Sequence, residues 1–211
     1  MDYARSDILA AVRVILDKNM SGEALTALGD VDTLSLDEII ESKVLDAVRI
    51  VHSDAPYYRL DGLSTFADSD IVWDGLHCGY VLLPDDFLRL VSFKMDDWQR
   101  TVHEAIDVGD PRYVLQSSAY KGVRGTPEKP VVAVAPYSDG LALEFFSCRS
   151  DDAVIAAATY LPLPTWVDGC VSICKRLYRA ACYMAAGLTA AAFDDTQTYA
   201  ALTEQSNKMM L

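Results

Sequence analysis

The sequence predicts an α+β protein in which N- and C-terminal helices form a helical bundle and an antiparallel β region is inserted between them. Three observations predict it. Apolar residues recur at the helical period before residue 56 and after residue 163, they alternate at period two between about 70 and 162, and Gly, Pro and Asp punctuate the joints. The organisation that follows is a helical body at 1–69 and 163–211, with a β-rich module at 70–162 that carries a long loop at about 107–130.

Ser6 or Asp7 can cap a first helix whose Ile8, Ala11, Val12, Ile15 and Leu16 share one face. Asn19 to Asp30, with Gly22 and Gly29, reads as a loop. Ser35 and Glu38 form a capping-box pattern, in which hydroxyl and carboxylate each satisfy the other residue's backbone N–H. The stripe Leu36, Ile39, Ile40, Val44, Ala47, Val48 and Val51 follows, and Pro56 predicts a helix end near Ala55.

In the middle, Leu88 to Met95 alternates, and short β-rich runs occur at Tyr80 to Leu83, Val131 to Ala135, Leu141 to Phe146 and Val154 to Tyr160. Asp139-Gly140 between two runs predicts a hairpin. Gly109, Pro111, Gly122, Gly125, Pro127 and Pro130 break the pattern over 107–130. Thr165 can cap a last long helix from Trp166 to Leu188, whose far half is rich in Ala and Gly, so another backbone can come close. Asp194 and Gln197 suggest a second capping box opening a final helix to Met209.

Charge narrows the function. The 211 residues hold 18 Lys and Arg against 31 Asp and Glu, a net of −13. That balance argues against gripping nucleic acid phosphates or an anionic membrane, both of which need cations. Residues 166–211 hold four acidic and four basic side chains, so the charge lies in the rest of the chain. No basic leader or membrane-length apolar run is visible, and five cysteines without paired spacing suggest reduced thiols in a cytosol.

Candidate chemistry is sparse, and no catalytic, cofactor or metal residue is assigned. Cys170 and Cys174 fall four apart on one predicted helical face with Cys182 further on, but a structural zinc needs four ligands and no second pair is near. His77 and Cys78 are neighbours and would point to opposite faces of a strand, a poor dyad, and no signature surrounds Cys148, His52 or His103. The pairs Asp85-Asp86, Asp96-Asp97, Asp151-Asp152 and Asp194-Asp195 fit turns and caps better than the opposed carboxylates of a hydrolase. Gly122-Val123-Arg124-Gly125-Thr126 has glycines and nearby cations, a weak signal for an anion contact, and reads as a flexible loop.

Leu83-Pro84-Asp85-Asp86-Phe87-Leu88-Arg89-Leu90-Val91-Ser92-Phe93-Lys94, followed by Trp98 and Val102, resembles a strand-turn-strand stretch of head-to-tail connector proteins of short-tailed bacteriophages. Gly125 to Val132, then Leu177 to Ala181, Leu188 to Ala190, Leu202 and Glu204-Gln205, recur in the same order. The likeness is to ring or adaptor proteins of crAss-like phages and spans about residues 35–211, leaving 1–34 outside it.

The resemblance implies a structural virion protein: a ring, commonly of twelve copies, beneath the portal and joined to further ring or tail proteins at the head-to-tail junction, assembled in the host cytoplasm. Helices would form the ring body. It makes the apolar tip Lys208, Met209, Met210 and Leu211 a candidate portal-docking element, and Arg112, Tyr113, Tyr120, Lys121 and Arg124 a candidate loop for inter-subunit or tail contacts. Twelve copies would carry about −156, so genomic DNA would pass an acidic lumen without specific binding. The alternatives are a small α+β protein- or ligand-binding module of a phage or its host and, last, a hydrolase built on Cys78 or Cys148.

Overall fold

A computed structural model describes residues 1–16, 35–120, 122–146 and 148–211. In chain order the elements are β1 (Asp2–Ala4), α1 (Arg5–Ile15), α2 (Leu36–Asp54), β2 (Ser64–Thr65), β3 (Ile71–Trp73), β4 (Gly79–Leu82), β5 (Phe87–Met95), β6 (Ile106–Asp107), α3 (Pro111–Leu115), β7 (Val131–Tyr137), β8 (Gly140–Phe146), β9 (Ile155–Pro162), β10 (Cys170–Ser172), α4 (Tyr178–Ala192) and α5 (Thr196–Met210). Helices and mainly antiparallel sheets make this a mixed α+β chain. It divides into two compact units, Met1–Asp61 with Leu163–Leu211, and Gly62–Pro162.

In the first unit α4 packs against α1, α2 and α5. Its Ala180, Ala181, Cys182, Ala185, Ala186, Gly187 and Ala190 are buried, and a Cβ on Gly187 would lie 3.3 Å from Thr203 Oγ1. The backbone that comes close to the small-residue face is therefore α5 of the same chain. The Ser206 hydroxyl donates to Ala180 O at 2.8 Å and fixes that contact. The α2 helix starts at the Ser35–Glu38 capping box and ends at Ala55 before Pro56, with Ile40, Val44, Ala47, Val48 and Val51 buried. The loop expected at Asn19–Asp30 lies outside the described residues.

Three boundaries differ from the sequence expectation. The first helix begins at Arg5 without a side-chain cap, not at Ser6 or Asp7. Strand β1 fixes that start by pairing with β10, and Arg5 N–H donates to Gly169 O at 2.9 Å. The long helix expected from Thr165 begins only at Tyr178. Asp168 and Gly169 adopt φ of 50° and 74°, a reversal that puts Val167 opposite Cys170 and turns 170–172 into a strand. Cys170 and Cys174 consequently do not share a helical face. The final helix is capped by Asp195, whose carboxylate accepts from Thr198 N–H at 3.0 Å, because Asp194 sits at φ 59° in the link from α4.

The second unit holds a three-stranded sheet, β2-β9-β5, and a five-stranded one, β3-β4-β8-β7-β6. Gly140, at φ 133°, opens β8 just after the expected β7–β8 turn. Not every strand is antiparallel: Ile106 and Asp107 run parallel to Ala133 and Val134. Phe93, Met95 and Tyr160 of one sheet share a core with Val81, Val132, Leu143 and Phe145 of the other. Register shifts along β5 bring Leu90 into the core together with Val91, which a strict alternation would separate. The Phe93 ring meets Phe66, Trp98 and Phe145 at centroid distances of 6.0, 5.7 and 6.1 Å.

Candidate functional site

The segment from 107 to 130 is built rather than open. Asp107 accepts from Gly109 N–H, and Asp110 caps α3 by accepting from Arg112 N–H at 2.8 Å, with Pro111 in the first helical turn where its missing N–H costs nothing. Gln116 is the tie. Its amide Nε2 donates to Arg112 O at 2.7 Å and its Oε1 accepts from Gly125 N–H at 2.8 Å, with the residue only 5% exposed. A tight turn follows, closed by reciprocal backbone bonds between Thr126 and Lys129. Gly125 is buried there, and a Cβ would meet Val131 N at 3.1 Å.

Four of the five loop residues predicted to act together are described, and each has its own surroundings. The Arg112 guanidinium is engaged by Asp110, donating through Nη2 at 2.6 Å, which holds the Asp110 carboxyl below its ordinary range. The Tyr113 ring lies edge-on to Phe146, and burial raises its hydroxyl pKa. Nearby, Tyr137 donates to Glu144 Oε1 at 2.7 Å. Tyr120 is 79% exposed, while Lys121 lies outside the described residues. Arg124 is half-buried, and its Nε donor is enclosed with no hydrogen-bond partner among the described residues.

Arg124 lines a cleft of about 500 Å³, together with Leu76, His77, Thr126, Glu128 and Arg149. Arg149 Nη2 donates to Glu128 Oε1 at 3.0 Å, and the His77 ring Nδ1 is 2.9 Å from Asp151 Oδ1. Cys148 is also on this wall, its N–H donating to His77 O at 2.7 Å. The described lining residues thus carry two guanidiniums, a hydroxyl and an imidazole, with the Glu128 carboxylate on Arg149 Nη2, Asp151 on the imidazole and Asp97 accepting from the Arg149 backbone N–H.

Nucleophilic chemistry is opposed by the thiols' surroundings. Burial, with Asp97 next in effect, pushes the Cys148 thiol up to about 12, and burial pushes Cys182 up to about 11. Such groups stay protonated near neutral pH, the reverse of an activated thiolate. Cys78 Sγ faces Leu76 O, and His77 is turned toward Asp151. Among the described residues, no three His, Cys, Asp or Glu side chains are placed to hold a metal, and no helix is long and apolar enough to cross a membrane.

At the C-terminal tip, Lys208 pairs with Glu204 at 2.6 Å, Met209 is half-buried and Met210 is 5% exposed. Leu211, 73% exposed, is the outward apolar residue of the four, and its carbonyl accepts from the Tyr58 hydroxyl at 3.3 Å.

Sequence reasoning singled out Arg124 from its flanking glycines but missed Arg149 and Gln116. Nothing adjacent to Arg149 marks it, because only the end of β8 and the 126–129 turn bring it beside Glu128. Compared with known proteins, the chain matches no family model and no curated protein.

Proposed function

We propose that this chain is a structural virion protein, not an enzyme, that assembles into the ring joining portal and tail of a short-tailed bacteriophage. A resemblance supports the reading: three stretches, within Leu83–Val102, Gly125–Val132 and Leu177–Gln205, are similar, in this order, to stretches of connector proteins. They coincide with β5 and its entry turn, with the 126–129 turn leading into β7, and with α4 and α5.

In this reading the helices of both chain ends form a bundle that serves as the ring body, and the β unit inserted between them reaches the neighbouring components. Because α5 covers the small-residue face of α4, contacts between copies use other surfaces, and exposed Val14, Tyr57 and Tyr58 supply apolar area for them. Leu211 is the docking residue toward the portal. The net charge of −13 per copy repels DNA phosphates, so the genome slides through the lumen without being held. The raised thiol pKa of Cys148 argues against a hydrolase built on that residue.

Negative-stain imaging of the purified protein, alone and mixed with portal, tests the proposal. Closed rings of about twelve copies in at least one condition are expected. Monomers or dimers in both would refute it.

A further inference from the structure

We infer that the cleft beside Arg124 is a binding site for a tetrahedral oxyanion of the phosphate class, free or carried on a small molecule. A chain with 31 acidic residues here places two cations together: Arg124 and Arg149 line the cleft, Glu128 is the one carboxylate among its described lining residues, and Asp151 stands behind them on the His77 ring.

The donors are specific. Arg124 Nε is enclosed and has no acceptor among the described residues, a condition that costs free energy unless something supplies one. Thr126 Oγ1 accepts from Lys129 N–H at 3.2 Å, which leaves its hydroxyl proton to donate elsewhere. Arg149 is 58% exposed on its side chain and uses Nη2 on Glu128, leaving the rest of its planar fork available. With His77 they come from three separate stretches of chain, 77, 124–126 and 149, which the β4–β8 pairing and the 126–129 turn bring to one cavity.

Donors arriving from three stretches suit an anion whose oxygens point in several directions. A carboxylate offers two oxygens in one plane, and Glu128 already places one on Arg149. The volume of about 500 Å³ lies within the range of small-ligand sites. The scaffold is also fixed beforehand, because Gln116 holds Gly125 and so sets the direction in which Arg124 leaves the backbone. Glu128 then acts as an internal competitor, occupying one guanidinium until the ligand displaces it.

The competitor gives the test opposite signs. The full-length protein is titrated with inorganic phosphate, and separately with glycerol phosphate, at ionic strength held constant with chloride, while amide and arginine Nε–H signals are followed by nuclear magnetic resonance. Saturable shifts at Arg124 Nε–H and at the Gly125 and Thr126 amides are expected. Arg124→Gln should weaken binding at least about tenfold, and Glu128→Gln should tighten it several-fold, since each charged hydrogen-bonded contact is strong enough to shift affinity on that scale. Perturbation by both probes identifies a phosphorylated small molecule as the source, and perturbation by inorganic phosphate alone identifies the free ion; either supports the site. Unsaturable shifts, or equal affinities in wild type and both variants, overturn it. So does a response to a short DNA duplex with none to the small anions.

Discussion

Acidifying the protein from pH 7 to pH 5 should destabilise the helical unit through one side chain, His52. Its ring is 1% exposed at the end of α2, and Nε2 accepts the backbone N–H of Cys174 at 3.3 Å. A proton on that nitrogen would remove the acceptor and place a charge in a desolvated site. Burial first, and the Met1 ammonium second, bring its pKa down from 6.5 to about 4. The unfolded chain therefore binds the proton more readily than the folded one. Stability is fully present above about pH 6.5 and falls as the pH drops toward 4.

A shift of that size corresponds to about 3 kcal/mol over the whole window, of which about 2 kcal/mol is lost by pH 5. Urea unfolding followed by helical circular dichroism measures it, since the long helices all belong to this unit. The control is His52→Gln, which cannot titrate. Carboxylate titration and the easing of the −13 charge affect both proteins alike, so the difference between their pH slopes isolates the imidazole. The wild type should lose about 2 kcal/mol more than the variant between pH 7 and pH 5. Equal slopes would refute the reasoning and mean that His52 is solvated or charged in the fold.

Three further outcomes follow from local contacts. Ser35→Ala removes the hydroxyl of the capping box and should lower the stability of the helical unit by about 1 kcal/mol in the same urea assay. Gln116→Ala leaves Gly125 N–H and Arg112 O without their partner in a buried setting, so hydrogen exchange at Gly125 should accelerate by about tenfold or more while the β5–β9 amides keep their protection. Leu211→Asp should reduce co-sedimentation with portal without changing the melting temperature, whereas deletion of Asn207–Leu211 should lower both, because Met210 is buried in its own unit.

Much of the fold was legible because its signals are local. Ser35 with Glu38, Ala55 before Pro56, and the alternation of Val91, Phe93 and Met95 each operate within a few residues and needed no partner to be read. The segment from Trp166 to Leu177 was not legible in the same way. Its apolar spacing satisfies a helical period, yet strand β10 forms on Asp2–Ala4 at the far end of the chain, and Asp168-Gly169 supplies the turn. The same contrast holds at the site. Arg124 stands out within Gly122–Thr126, but the cleft exists only where the end of β8 delivers Arg149 and Gln116 pins Gly125. Arg112 and Tyr113, grouped with Arg124 through the resemblance, have partners that sequence could not show, Asp110 and Phe146.

A ring of this acidic 23.2 kDa chain at the portal, as proposed, would be visible in its mass. The direct measurement is the native mass of the purified protein, alone and with portal added. A discrete species near 280 kDa, about twelve copies, is expected, free or as that increment on the portal mass. A protein that remains at one or two copies in both samples, with the portal mass unchanged, would contradict it.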